Sequence, residues 1–406
     1  MPIKANLIEK IRSIRQIRVQ KGPWNPASFG FLLIMLVTVV AGARPNFMKI
    51  APIIRAIKGA QLDGQAIDYR LVHTGQHFDK KMSGDFFEQL GIPEPDINLE
   101  AGGGTQAEQT AAVMVSFERE LKANRPDVVL VVGDVTSTMA CTITAKKLCV
   151  PVVHVEAGIR SGDMTMPEEI NRIVTDSICD HFFTTTREAG QLLKNNGADE
   201  SRIHFVGNTM IDTLMQNLEL LTKPDVWDLA GLNEKSYFLV TLHRPANVDD
   251  PAKLVEFLDA ILSGTEGHGV VFPVHPRTRK SLQSVNFNHE RLIQIDPLGY
   301  LEFIYLLKYV RAVITDSGGI TEEATVLDIP CMTLRDSTER PETVTIGTNE
   351  LVGTNPQDLA PYLQRLAKGD WKKGTAPELW DGRTSGRIVK ALLQIYGDEA
   401  GKAGAI

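Results

Sequence analysis

Cysteine is scarce: four among 406 residues, at positions 141, 149, 179 and 331. None forms a Cys-x-x-Cys pair, which argues against a zinc ribbon or a disulfide framework and leaves buried thiols in a reducing cytoplasm as the expectation. Positive charge is also short. Forty-three Lys and Arg face fifty Asp and Glu, and the net charge of −7 argues against a nucleic-acid-binding surface. No strand-like run leads into Gly-x-Gly-x-x-Gly. The triple glycine at 102–104 follows Asn98-Leu-Glu100 rather than a buried strand, so tightly bound NAD is not expected. No His-Glu-x-x-His or comparable spacing supports a metal site. The apolar run from Phe29 to Ala41 is too short to span a bilayer. Repeats with a period of tens of residues and low-complexity tracts are absent as well.

Residues 1–34 imitate a secretory leader, with Lys4, Lys10, Arg12, Arg15, Arg18 and Lys21 ahead of the apolar run and Ala41-Gly42-Ala43 after it. The run Met35–Ala41 reads instead as a first buried strand, and cleavage at residue 43 would delete it. Residues 1–34 are therefore expected to be an extension, poorly ordered, with the folded protein starting near Met35.

What is present is alternation. Apolar, β-branched runs cover 35–41, 68–73, 127–132, 151–155, 202–206, 236–242, 269–274, 291–295, 311–315 and 330–334. Helical patterns lie between most of them, and Thr105-Gln-Ala-Glu108 is a capping box for one that runs to about Leu121. Apolar runs separated by helices predict parallel sheets in doubly wound α/β domains. The length predicts two domains. We place them at 35–207 and 208–375, two Rossmann-like units facing across a cleft. A last amphipathic helix over Gly382–Tyr396, within 376–406, is expected to cross back to the first domain.

Ligands of such sheets sit at the carboxyl ends of the strands. The residues there form a coherent set. Gly42-Ala-Arg44-Pro45 follows the first strand, with Lys49 about one turn into the next helix. Gly133-Asp134, Glu156-Ala-Gly158-Ile-Arg160, His243-Arg244-Pro245 and His275-Pro276 each follow a strand. Val313–Thr315 runs into Asp316-Ser317-Gly318-Gly319 and then a helix-forming stretch with Glu322 and Glu323. That is a turn into a helix N-terminus, where N–H groups and the macrodipole suit an anion, with Ser317 as N-cap. Each residue also has a bland reading: Asp134 as a cap, Glu156 as half of an ion pair with Arg160, the histidines as structural. Glu168-Glu169 follows a glycine-punctuated loop. One of the two is expected to face the cleft and the other to be a solvated residue at the helix dipole. Arg340-Pro341 reads as a turn into a short helix able to meet a sugar or phosphate.

Taken in order, these motifs resemble the non-hydrolysing UDP-N-acetylglucosamine 2-epimerases, which have the two-domain GT-B fold. The resemblance spans about 35–396 and also includes Gly75-Gln76-His77, His154-Val-Glu156, Pro167-Glu168-Glu169-Ile-Asn-Arg172, Gly207-Asn208-Thr209 and Thr338-Glu339-Arg340-Pro341. It implies reversible conversion of UDP-GlcNAc to UDP-ManNAc through elimination of UDP and re-addition to a 2-acetamidoglucal, in the cytoplasm, for bacterial surface polysaccharide. No metal or redox cofactor is implied. Asp134, Glu156, Glu168 and His243 are implied as catalytic. Arg44, Lys49, His275, Ser317, Gly318, Gly319 and Arg340 are implied as UDP-sugar contacts, with Glu323 at the ribose. Gln76, His77 and Arg244 match a second, allosteric UDP-sugar site of some bacterial members. A homodimer is implied, with no membrane or nucleic-acid partner.

The chain departs from the pattern in places. Asn46 stands where an acid often follows the proline, and Pro245-Ala246 replaces Arg-Glu after the histidine and arginine. The loop between Gly162 and Pro167 is shorter than in many members. Gly104-Thr105-Gln106 replaces Arg-Gln-Thr, and Asp79 stands where some members have glutamine. A hydrolysing relative, a GT-B glycosyltransferase and a nucleotide-sugar sensor are the alternatives.

Overall fold

Runs of β-branched and aliphatic residues, buried on both faces, build two sheets. The computed structural model describes residues 34–75, 90–265 and 267–402. The first sheet holds β1 (Met35–Ala41), β2 (Ile67–His73), β3 (Ile97–Asn98), β4 (Val128–Val132), β5 (Val152–Val155), β6 (His181–Thr184) and β7 (Ile203–Phe205). Their order is β3-β2-β1-β4-β5-β6-β7. The second sheet holds β8 (Tyr237–Thr241), β9 (Gly269–Pro273), β10 (Leu292–Ile295), β11 (Ala312–Thr315), β12 (Cys331–Thr333) and β13 (Asn349–Leu351), in the order β10-β9-β8-β11-β12-β13. Every pairing among the described residues is parallel. Helices cover both faces, so the central strands are apolar along their whole length: all seven residues of β1 and all five of β4 are buried. The doubly wound α/β class expected from the alternation is the observed one.

Three strands escape the sequence pattern. β3, β6 and β13 are two, four and three residues long. β6 is held by ladders to β5 and β7 on either side, and segments this short carry little periodicity of their own. The capping box forms: Thr105 Oγ1 accepts from the Glu108 amide at 3.2 Å, and Glu108 Oε2 accepts from the Thr105 amide at 2.8 Å. It opens a helix over Gln106–Ala123. Gln76, His77 and Asp79 lie outside the described residues.

One of three apolar clusters among the described residues spans both sheets. Val37 and Val132 of the first sheet join Met210 and Leu214 of the helix Thr209–Asn217, and through them Tyr237 and Val313 of the second sheet. This bridging helix packs against the helix Arg44–Leu62 of the first domain and the helix Gly318–Val326 of the second. The final helix, Thr384–Lys402, packs on Arg44–Leu62 and on the bridging helix. Its Ile388 and Leu392 are fully buried, each worth about 1.5–3 kcal/mol of transfer free energy.

The start of that final helix is capped from a distance. Buried Asp212 of the bridging helix accepts from the backbone N–H groups of Thr384, at 2.9 Å, and Ser385, at 2.7 Å. Asp212→Ala leaves both donors buried without that acceptor and is expected to destabilise the protein by about 2–3 kcal/mol, with Asp212→Asn losing less. Urea unfolding checks this. A midpoint for Asp212→Ala equal to the parent's would show that the cap contributes nothing.

Candidate active site

The strand order reverses between β1 and β4 in the first sheet and between β8 and β11 in the second. Ligand crevices of open α/β sheets form at such switch points, and here the two sheets bring theirs face to face. Between them lies a cavity of about 180 Å³. The first domain lines it with Lys49, Asp134, Glu156 and Arg172, and the second with Gly318, Gly319, Glu322, Glu339 and Arg340.

The turn after β1 is braced by Asn46. Its Oδ1 accepts from the amides of Gly42 (3.1 Å) and Ala43 (3.0 Å), and its Nδ2 donates to the carbonyl of Val132 at the end of β4 (3.1 Å). An acid at this position could not make the last bond. With Pro45 in the first turn, the brace aims Lys49 across the ends of β1 and β4.

Lys49 Nζ meets Glu156 Oε2 at 2.5 Å, and Arg340 Nη2 approaches the same oxygen at 3.3 Å. Arg340 Nε in turn meets Glu322 Oε1 at 2.5 Å, where Asn208 Nδ2 also donates at 2.9 Å. Two acids and two bases thus alternate across the domain boundary. The approach requires Gly133: a Cβ there would lie 2.9 Å from Lys49 Nζ, and the residue has φ +63°. Glu156 itself holds φ +70°, a conformation that costs a side-chain-bearing residue about 1–2 kcal/mol. Burial alone would raise its carboxyl, but Lys49 and Arg340 outweigh that and hold it below the ordinary value. Glu322 is pushed up to about 7, by burial first; Arg340 opposes the rise and Glu156 adds to it. Glu156 Oε1 and Arg340 Nη1 are buried with no hydrogen-bond partner among the described residues. Both residues line the cavity, and a polar ligand that reached these atoms would satisfy them.

Asp134 is held by Arg172, Nη2 to Oδ2 at 2.5 Å and Nε at 3.0 Å. Arg172 also pairs with Glu169 at 2.7 Å. Glu169 is not the solvated member of its pair. It is buried and accepts from the amides of Ser161 and Gly162, stapling the glycine loop. Glu168 is half-buried and is not among the residues that line the cavity. Arg160 does not pair with Glu156. It binds Asp176 at 2.7 Å, which also takes His154 Nδ1 at 2.7 Å and the Gly158 amide at 3.1 Å. That trio props the β5 turn from behind.

On the second domain, His243 projects from the end of β8 with its Nδ1 2.8 Å from Asp316 Oδ1. Asp316, fully buried, also accepts from the backbone amides of His243 and Arg244. Burial raises the Asp316 carboxyl, but these donors hold it below its ordinary value. Arg244 Nε donates to the Asp316 carbonyl at 3.0 Å. Ser317 occupies the N-cap position of the helix Gly318–Val326, yet its hydroxyl makes no capping bond. Gly318 and Gly319 open that helix onto the cavity, and a Cβ at Gly318 would meet Glu339 Oε1 at 2.9 Å. Glu339 pairs with Arg335 at 2.7 Å, and Arg335 overcomes burial to hold its carboxyl down to about 2. Glu322 and Glu323 fall beyond the first turn. Glu323 is buried and accepts from the Tyr300 hydroxyl at 3.1 Å. His275 is exposed beyond β9 and is not among the cavity residues. Arg44 opens its helix directly after the β1 turn. The residues that motif reading left without a role are Asn46, Arg172, Asp316, Glu322 and Glu339. Their only sequence signal was a place inside or beside a motif.

A family model described as UDP-N-acetylglucosamine 2-epimerase matches residues 60–393. The UDP-N-acetylglucosamine 2-epimerase of Methanocaldococcus jannaschii is 40% identical over 370 residues, 88% of this chain and 99% of the relative. The UDP-2,3-diacetamido-2,3-dideoxy-D-glucuronate 2-epimerase of Pseudomonas aeruginosa is 40% identical over 364 residues, 89% of this chain and 100% of the relative. Among solved structures, the M. jannaschii UDP-GlcNAc 2-epimerase in complex with UDP-GlcNAc and UDP aligns with a TM-score of 0.77 at 40% identity, covering 89% of this chain and 100% of that one. The Neisseria meningitidis UDP-GlcNAc 2-epimerase bound to UDP-GlcNAc aligns with a TM-score of 0.80 at 29% identity, with coverage of 89% and 100%.

Burial pushes the Glu323 carboxyl up to about 8, against the hydrogen bond from Tyr300 and with help from Glu322. The unfolded chain releases this proton at lower pH than the folded one, so Glu323 makes stability fall as pH rises from its unfolded to its folded value. Glu323→Gln is therefore expected to show a shallower decline in thermal midpoint between about pH 5 and 8 than the parent. Identical slopes would mean that Glu323 is already ionised in the folded protein at neutrality.

Proposed function

Since the chain belongs to the UDP-N-acetylglucosamine 2-epimerase family, we propose that it inverts C2 of UDP-GlcNAc without hydrolysing it, giving UDP-ManNAc. The observation that supports this reading is the placement of Asp134 and Glu156 across one cavity from the Gly318-Gly319 helix start. Asp134, Glu156 and Glu168 come from the first domain. The Gly318-Gly319 helix start and His243 come from the second. A diphosphate seated at that helix start, with Arg44 and Lys49 reaching it from the first domain, puts the attached sugar against the carboxylates of the first.

The chemistry requires this division. The C2 proton of the sugar is not acidic. It leaves only as the anomeric C1–O bond breaks, with that bond's electron pair departing on the β-phosphate oxygen of UDP. C1 gains positive character, which a buried carboxylate such as Glu156 stabilises. A carboxylate then takes the C2 proton, and the C2–H pair becomes the double bond of 2-acetamidoglucal. Return of a proton to the opposite face of C2, with re-addition of UDP at C1, completes inversion. Two faces call for more than one acid–base group, and Asp134, Glu156 and Glu168 supply them. Arg44, Lys49 and Arg340, with Ser317-Gly318-Gly319, hold the diphosphate while it is detached. Glu323 takes the ribose diol. UDP so retained can return to the sugar, which separates epimerisation from hydrolysis. The product serves the building of surface polysaccharide in the cytoplasm.

A second substrate class is suggested by the P. aeruginosa relative, which is named for a diacetamido-glucuronate. The protein incubated with UDP-GlcNAc in D2O and followed by NMR is expected to incorporate deuterium at C2 while two UDP-sugars equilibrate. Free ManNAc would point to hydrolysis. An inert UDP-GlcNAc alongside exchange in the diacetamido-glucuronate nucleotide would move the substrate to that class. Glu156→Gln is expected to lower turnover by about 10²–10⁴-fold while UDP still binds. Retained turnover removes Glu156 from the chemistry.

A further inference from the structure

Asp316 lies in the turn expected to grip an anion, yet its carboxylate faces the other way. It is fully buried at the end of β11 and gathers donors from the turn after β8. The amides of His243 (3.1 Å) and Arg244 (2.9 Å) and Asn247 Nδ2 (3.2 Å) all donate to its Oδ2. Its Oδ1 stands 2.8 Å from His243 Nδ1. The His243 side chain is otherwise open, 55% exposed. A carboxylate offers only acceptors, so the ring nitrogen facing it must carry the hydrogen. The tautomer of His243 is thereby set, as is the direction of its ring.

We infer that Asp316 is the positioning residue for His243: it fixes Nδ1 as a permanent donor and leaves Nε2 as the one ring atom that exchanges a proton in the cleft. This rests on the proposed function, with His243, implied as catalytic by the family resemblance, acting on the departing diphosphate. When the C1–O bond breaks, its electron pair goes to the β-phosphate oxygen and the Nε2 proton follows onto that oxygen. The ring is left neutral, with its lone pair at Nε2 and its Nδ1–H still on Asp316. On re-addition the C1–O bond re-forms and the proton returns to Nε2. A ring with the opposite tautomer would hold its proton at Nε2 with no charge to drive its release, and so would be a poor acid.

Asp316→Asn separates this role from simple support of the turn. The amide oxygen can keep the bonds from Arg244 and Asn247, while the amide nitrogen, now a donor, faces His243 Nδ1 and forces the other tautomer. Nitrogen-15 NMR of the histidine-labelled full chain, with His243 assigned through His243→Gln, reads the tautomer directly. The neutral ring is expected as Nδ1–H in the parent and Nε2–H in Asp316→Asn. With UDP-GlcNAc, kcat is expected to fall about 100-fold while KM and the calorimetric Kd for UDP stay within about 3-fold. A parent ring in the Nε2–H form overturns the proposal without need of any variant. So does a flipped tautomer with kcat unchanged, or a loss of UDP affinity that matches the loss of kcat, which would reduce Asp316 to a scaffold. A parent that shows the Nδ1–H form but converts no UDP-GlcNAc would defeat the proposed function and leave the dyad itself standing.

Discussion

Lys49, Glu156, Arg340 and Glu322 form a chain of alternating charge across the boundary between two domains, and the geometry of the site depends on it. Each charge is almost wholly removed from water, and a buried charge without a partner costs several kcal/mol. Neither domain supplies the whole chain. Glu156 has Lys49 on its own side but needs Arg340 from the other, while the strand-end turns that carry them are fixed by unrelated local features. Those features are the Asn46 brace after β1, the open space over Gly133, the Asp176 hub behind β5 and the packing of the bridging helix. The cluster leaves one oxygen of Glu156 and one nitrogen of Arg340 unsatisfied, on two residues that line the cavity. Two groups of opposite sign with spare hydrogen-bonding capacity, a few ångströms apart, suit a ligand that is itself divided between an anionic part and a hydroxylated part.

The sequence made the scaffold and the edges of the cavity legible, because a doubly wound sheet writes both in local terms. Continuous apolar runs mark central strands, and the residues just after each run lie at the carboxyl edge. Short strands were not legible. β6 and β13 exist because neighbours pair with them, and no pattern within three or four residues announces that. The site divides in the same way. Asp134, Glu156 and Arg340 could be placed at the cavity from the ends of their runs and from motif order. Their partners could not. Arg172 is 38 positions from Asp134, and Asp316 is 73 from His243. Asp316 was legible as part of a turn, but its direction depends on which strand lies next to β11, and that is a property of topology. Glu169 went the same way: two adjacent acids at a helix start look alike until a loop closes over one of them.

The final helix, docked on the first domain and capped by Asp212, means that the polypeptide passes between the domains twice. One pass is the bridging helix after β7, and the other is the segment that leads from the second sheet to Thr384. A single tether lets two bodies bend, swing and twist about each other. Two tethers side by side act like a strap hinge: twisting would stretch one against the other, so the easy motion left is a bend about the line joining them. A bend of that kind keeps the strand-end turns that line the cavity in one register. For the proposed epimerisation, in which a leaving group is released and recaptured at the same carbon, a doubled crossing that holds the two halves of the cavity in one register is a mechanical advantage.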